Sequence, residues 1–161
     1  MSNGNSQPVT EALRQEHAEG FRMFTDAVQR ISDEEWGRGG IWTEVPARAA
    51  LHTLLCARYY IAPTGENFSW NPSGVVFWKS PISELPTRVQ MLEQITAVAA
   101  ETDAYLVHNG DEGLLHQTAA TNPTRTRVAN MIYALRHLQH HVAQISAECK
   151  RRGFGAAKWE V

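Results

Sequence analysis

From Pro123 to Arg152 the sequence runs thirty residues with no internal helix breaker. As one helix that stretch spans about 45 Å, at roughly 1.5 Å per residue. Asn122 before Pro123 has the form of a start signal, an Asn cap followed by proline at the first helical position. Lys150, Arg151 and Arg152 suit the negative end of the helix dipole, and Gly153 is a natural stop. Laid out at about 100° per residue, Val128, Met131, Leu135, Leu138, Val142, Ile145 and Cys149 make an apolar band. Beside it lies a second strip, Asn130, Tyr133, His137, His141 and Gln144, polar and aromatic yet on the side that must face the interior. His137 and His141 are four residues apart, so one metal ion can bridge their imidazoles. His140 falls to the outer side with Arg136.

The same spacing recurs upstream. A first helix opens at Thr10 and carries Leu13, His17, Phe21, Phe24, Val28 and Ile31 on one stripe. His17 on that stripe reads as a hydrogen-bonded core histidine ahead of a metal or substrate ligand. A second helix, Pro46 to about Ile61, puts Ala49, His52, Leu55, Cys56 and Tyr59 on a shared face. Cys56, one turn from His52, is a further candidate for the same site as a ligand or neighbour, although a buried free cysteine behaves first as a small hydrophobe. A third helix is expected from about Ser83 to Val107, with Leu85, Val89, Leu92, Ile95, Ala99 and Leu106 inward and Asp103 near that stripe. His108-Asn109-Gly110 ends it, and Asp111 to Thr118 adds a turn before the last helix. Between helices two and three, residues 62–80 form a long loop carrying Phe68, Trp70, Phe77 and Trp78, which either roof a pocket or plug the end of the bundle. Trp159 is expected to pack back from the tail.

Four helical segments with no alternating strand pattern predict an all-α, four-helix bundle. It forms one domain, residues 10–161, behind a disordered arm of residues 1–9. At 161 residues and 43% apolar composition there is chain enough for a real core. No apolar run approaches a membrane span, and the polar start lacks the apolar centre of a signal peptide. Two cysteines in no disulfide or Cys-x-x-Cys pattern favour a reducing cytoplasm. A net charge of -2 with scattered cations argues against nucleic acid as the partner.

His52, His137 and His141 thus come from two helices whose inner faces meet. Three neutral imidazoles leave open positions on a tetrahedral or octahedral divalent ion, the pattern of a catalytic site. Such an ion lowers the pKa of a bound water or thiol. Tyr133, Gln144 and Tyr59 are candidates for orienting the ligands or a substrate.

A lone His early in helix two, His-x-x-His-His-x-x-Gln in the last helix (His137, His140, His141, Gln144) and a basic tail ending in Gly and Trp resemble the DinB/YfiT-like superfamily of metal-binding four-helix bundles. The likeness covers the whole chain, but its specific part is His52 and the 137–144 segment. It implies a bundle of unusual connectivity, often a homodimer, holding one divalent ion on three histidines, by position His52, His137 and His141. Zinc, nickel, manganese and iron occur in that group, with zinc or nickel favoured. Relatives include bacillithiol and mycothiol S-transferases, a mycothiol-dependent maleylpyruvate isomerase and domains of ergothioneine-type synthases. The implied function is metal-dependent activation of a low-molecular-weight thiol toward a small-molecule acceptor. A hydrolase and a non-catalytic metal- or small-molecule-binding bundle remain as alternatives. The superfamily segment often reads His-His-Arg-Gly-Gln, whereas Val142-Ala143 stand here. That removes a fixed cation and bears on any anionic substrate.

Overall fold

The computed structural model describes residues 7–158. Four helices carry the fold: α1 (Pro8–Arg30), α2 (Pro46–Ile61), α3 (Arg88–His116) and α4 (Arg127–Arg151). α1 packs on α3 and α4, and α2 packs on the same two, so α1 and α2 stand on opposite corners of an all-α bundle. Phe24, Val28, Leu54, Leu55, Met91, Ile95 and Ile145 fill its centre, all essentially without solvent contact. No helix among the described residues is long and apolar enough to cross a membrane.

α2 matches its predicted bounds, and Pro46 sits in its first turn, where a missing N–H costs nothing. The other boundaries move. α1 begins at Pro8, two residues into the segment expected to be an arm; residues 1–6 and Trp159 lie outside the described residues. α3 starts at Arg88 and not Ser83. Thr87 caps it, its hydroxyl accepting from the Gln90 amide at 3.2 Å while Gln90 answers the Thr87 amide at 2.9 Å. Leu85 is left outside the helix yet stays in the core, and Val89 is 57% exposed. The true inward face of α3 is Met91, Ile95, Val98, Thr102 and Leu106.

Nor does α3 end at Gly110. That glycine takes φ 57°, ψ -179°, outside helical space, and the helix resumes to His116. The kink turns Asp111 toward the start of α1. Its carboxylate accepts from the Thr10 amide at 2.8 Å, the Thr10 hydroxyl at 2.7 Å and the Val9 amide at 3.3 Å. The Asp111 amide in turn donates to the Gln7 side chain at 3.0 Å. A helix that lacks a capping side chain of its own is thereby capped from a hundred residues away.

The start of α4 is the largest departure. Asn122–Thr126 is not helix but strand β2, paired antiparallel with β1, Thr118–Ala119. The Asn122 side chain accepts from both the amide and the hydroxyl of Thr124, an Asx turn that competes with helix formation at this point. Pro123 is tolerated in so short a hairpin because the strand has a free edge. Thr126 then supplies the cap, accepting from the Ala129 amide at 3.3 Å.

At the other end, Arg152 ties α4 to the segment between α1 and α2. Its guanidinium, 8% exposed, meets the Glu35 carboxylate at 3.0 Å and Glu148 at 3.3 Å, and donates to the carbonyls of Glu35, Arg38 and Glu44.

Candidate metal centre

α2 and α4 pack side by side, and their contact brings His52, His137 and His141 together. The Nε2 atom of His141 stands 3.1 Å from Nε2 of His52 and 2.8 Å from Nε2 of His137. Two nitrogens bound to one ion at about 2.05 Å, 90–109° apart, are separated by about 2.9–3.4 Å. The two spacings fall at or just below that range.

The hydrogen bonds around the rings fix how these nitrogens are used. Nδ1 of His141 faces the Gln144 side-chain oxygen at 2.8 Å and donates to it; the Gln144 amide donates onward to Nε2 of His140 at 3.2 Å. With its proton on Nδ1, a neutral His141 offers a bare lone pair at Nε2. That single in-plane lone pair can accept one hydrogen bond, yet two imidazole nitrogens lie against it. Protons alone satisfy one of the two contacts; a cation between the rings satisfies all three nitrogens. His137 is ready for either state, because its Nδ1 meets the Tyr60 hydroxyl at 2.7 Å, a group that can donate or accept.

The rings are kept neutral. Burial pushes His52 down to about 4, with His141 and His137 adding repulsion, and burial likewise lowers His137 and His141. A neutral imidazole is the form that ligates.

Cys56 belongs to the same cluster. Its Sγ is 3.6 Å from Nε2 of His52, and ligand atoms of His52, Cys56 and His137 all lie within 4.8 Å of one another. A sulfur at about 2.3 Å and a nitrogen at about 2.05 Å from one tetrahedral ion are about 3.5 Å apart. Of the two expectations for Cys56 the geometry favours the neighbour of His52 over the plain hydrophobe, and these residues form a possible metal-binding group of two histidines and a cysteine. Burial pushes its thiol up to about 12, so without a cation it stays protonated.

Aromatic rings flank the histidines. On one side Phe77, from the long loop, and Trp42 sit 4.7 and 5.1 Å from the His52 ring and 5.3 Å from each other. On the other, Tyr60 and Tyr133 lie 5.8 and 6.1 Å from the His137 ring. The loop aromatics thus divide their work: Phe77 walls the site, while Phe68 meets Tyr59 edge-on and Trp70 packs against it at a tilt.

Other expected neighbours lie elsewhere. Tyr59 donates to the Thr121 carbonyl at 3.1 Å and faces the hairpin, because it is rotated one position away from the His52–Cys56 strip. Tyr60, four residues after Cys56, takes the place assigned to it; the same four-residue spacing was the available signal. His17 is buried, donating to the Met131 carbonyl at 3.2 Å, and Asp103 pairs with Arg14 at 2.7 Å.

No protein-family model, curated protein or solved structure matches this chain. The likeness to DinB-type proteins accordingly rests on the residues themselves, and the firm result is a four-helix bundle with a possible His/Cys metal group.

Proposed function

We propose that the chain is a DinB-like metal protein that holds one divalent transition ion on His52, His137 and His141 and presents a low-molecular-weight thiol to an electrophilic small molecule. The observation that carries this reading is the convergence of the His52 and His137 Nε2 atoms on Nε2 of His141, with spacings of 3.1 and 2.8 Å. Zinc and nickel suit imidazole donors, with manganese and iron as alternatives. A bound divalent ion supplies Lewis acidity, lowering the pKa of a thiol, or of a water in the hydrolase alternative.

The chain does the rest. Gln144 holds His141 in the ligating tautomer, and the Tyr60 oxygen accepts from Nδ1 of His137 once its Nε2 is a ligand. Burial keeps Tyr60 protonated by raising its hydroxyl above the ordinary range, so it stays a neutral partner. Trp42 and Phe77 exclude water from one side, and the half-exposed Tyr133 stands at the lip where a second reactant would enter.

A specific observation favours a second reading. Ligand atoms of Cys56, His52 and His137 lie within 4.8 Å of one another; if those three bind the ion and His141 completes the set, four protein donors close the coordination and the centre becomes a non-catalytic metal-binding site. Protein purified without a metal-affinity tag should carry about one equivalent of transition metal by elemental analysis, lost in His137→Ala with the helical signal intact. Unchanged metal content in the variant would sink both readings. Cobalt substitution then separates them. A sulfur-to-cobalt charge-transfer band before any thiol is added, absent from Cys56→Ser, marks the closed site; a band that appears only on adding thiol marks the open one.

A further inference from the structure

Val142-Ala143 leave the 137–144 segment of α4 without a lysine or arginine, but the hairpin brings a cation from another direction. Arg125 on β2 lies with its guanidinium carbon 4.2 Å from the centroid of the Tyr133 ring. That ring is itself 5.5 Å from Tyr60 and 6.1 Å from His137, so Arg125 stands two ring contacts from the proposed ion. Stacking on an aromatic face holds the guanidinium plane while leaving its N–H edge free.

That edge has no partner. Arg125 is half-buried, yet among the described residues no carboxylate lies within 4.0 Å of it and no acceptor takes its protons. Comparable arginines are all engaged. Arg14 pairs with Asp103, Arg30 with Asp26 and Arg88 with Asp33, while Arg48 donates to the carbonyls of Phe77 and Ser80. Arg127, two residues on, donates to the Thr118 carbonyl and the Asn109 side chain. A guanidinium held over a ring that itself lies against His137, and left without an anion, is suited to bidentate recognition of a carboxylate.

We propose that Arg125 determines specificity by binding a carboxylate on the small molecule that occupies the His52–His137–His141 centre. This rests on the metal-and-thiol reading above. The ligand class is then an anionic thiol or thiol acceptor, and Tyr133 is the platform that positions Arg125.

The test uses cobalt-loaded full-length protein and two thiols of equal length, 3-mercaptopropionate and its neutral amide, with binding followed by the cobalt absorption. In the wild type the carboxylate should bind about 10-fold more tightly than the amide, in line with a charge-assisted bidentate contact. In Arg125→Gln that preference should shrink toward unity while the amide binds as before, and Arg125→Lys should restore part of it. The same preference in wild type and Arg125→Gln overturns the assignment of Arg125 and leaves the thiol reading standing. Failure of both thiols to alter the cobalt spectrum overturns the thiol reading, and this one with it.

Discussion

Replacing Tyr60 by Phe is the sharpest probe of the centre, because it deletes one oxygen and leaves every proposed ligand in place. The hydroxyl is 2.7 Å from Nδ1 of His137. In the metal-loaded state Nδ1 must carry the proton, and Tyr60 is its acceptor. Without that acceptor, a half-buried N–H loses its hydrogen bond and the ring loses what fixes its rotation and tautomer. Partners of this kind are worth about 10–100-fold in metal affinity; at the lower end that is about 1.4 kcal/mol. Zinc competition against a chromophoric chelator measures it directly. The effect must also be coupled to His137. Once His137→Ala has removed the ring, adding Tyr60→Phe should change residual affinity by less than twofold, whereas independent actions would add. Wild-type affinity in Tyr60→Phe, or full additivity with His137→Ala, would refute the idea that Tyr60 acts through this imidazole.

Other expectations follow from the scaffold. Arg152→Ala should cost about 1–2 kcal/mol in urea unfolding, since it removes the donor that ties three carbonyls together while Glu35 and Glu148 keep Arg38 and Arg151; a loss under about 0.5 kcal/mol would show the clamp to be idle. Gly110→Ala should cost about 2 kcal/mol or more, because φ 57° with ψ -179° is glycine territory and the new Cβ would meet the Gln7 side chain at 2.5 Å. A thermal melt unchanged from wild type would contradict that. His17 is held down to about 4 by burial, against about 6.5 when unfolded. Its folded form refuses the proton that the unfolded chain accepts, so its contribution is complete above pH 6.5 and declines as pH falls toward 4. The decline is worth at most about 3 kcal/mol. His17→Gln should flatten the stability–pH slope in that window, and an identical slope would place the acid sensitivity elsewhere.

Helix interiors were legible in the sequence and their ends were not, for a physical reason. The interior of α4 is dictated by burial: Met131, Leu138, Val142, Ile145 and Cys149 repeat at helical spacing and all are buried. No local competitor outweighs that many apolar contacts. At Asn122–Thr126 no apolar residue is at stake, and an Asn side chain bonding to Thr124 is enough to divert the backbone into a hairpin. At Gly110 the deciding contact is remote, because the kink is kept by Asp111 capping a helix that begins a hundred residues earlier. Spacing within one segment cannot report a partner so distant.

The candidate site divides along the same line. The pairing of His137 with His141 is a property of one helix and could be read at once. Joining His52 to them needed α2 and α4 to be neighbours, which two facing inner strips imply. What escaped is the finer rotation of α2. Tyr59 and Tyr60 differ by about 100° around the helix axis, enough to send one to the hairpin and the other to His137. Cys56 shows how that error could have been caught. It lies four residues after His52 and four before Tyr60, and its sulfur is 3.6 Å from the His52 ring. The sequence places Cys56 on one face with both His52 and Tyr59; centring that face on the four-residue spacing of His52, Cys56 and Tyr60 fixes the rotation of α2 and puts Tyr60 at the histidines. A cysteine that marks the orientation of a helix is also one whose sulfur can reach the ion, so the same residue decides whether the proposed centre is open to a thiol or closed by the protein.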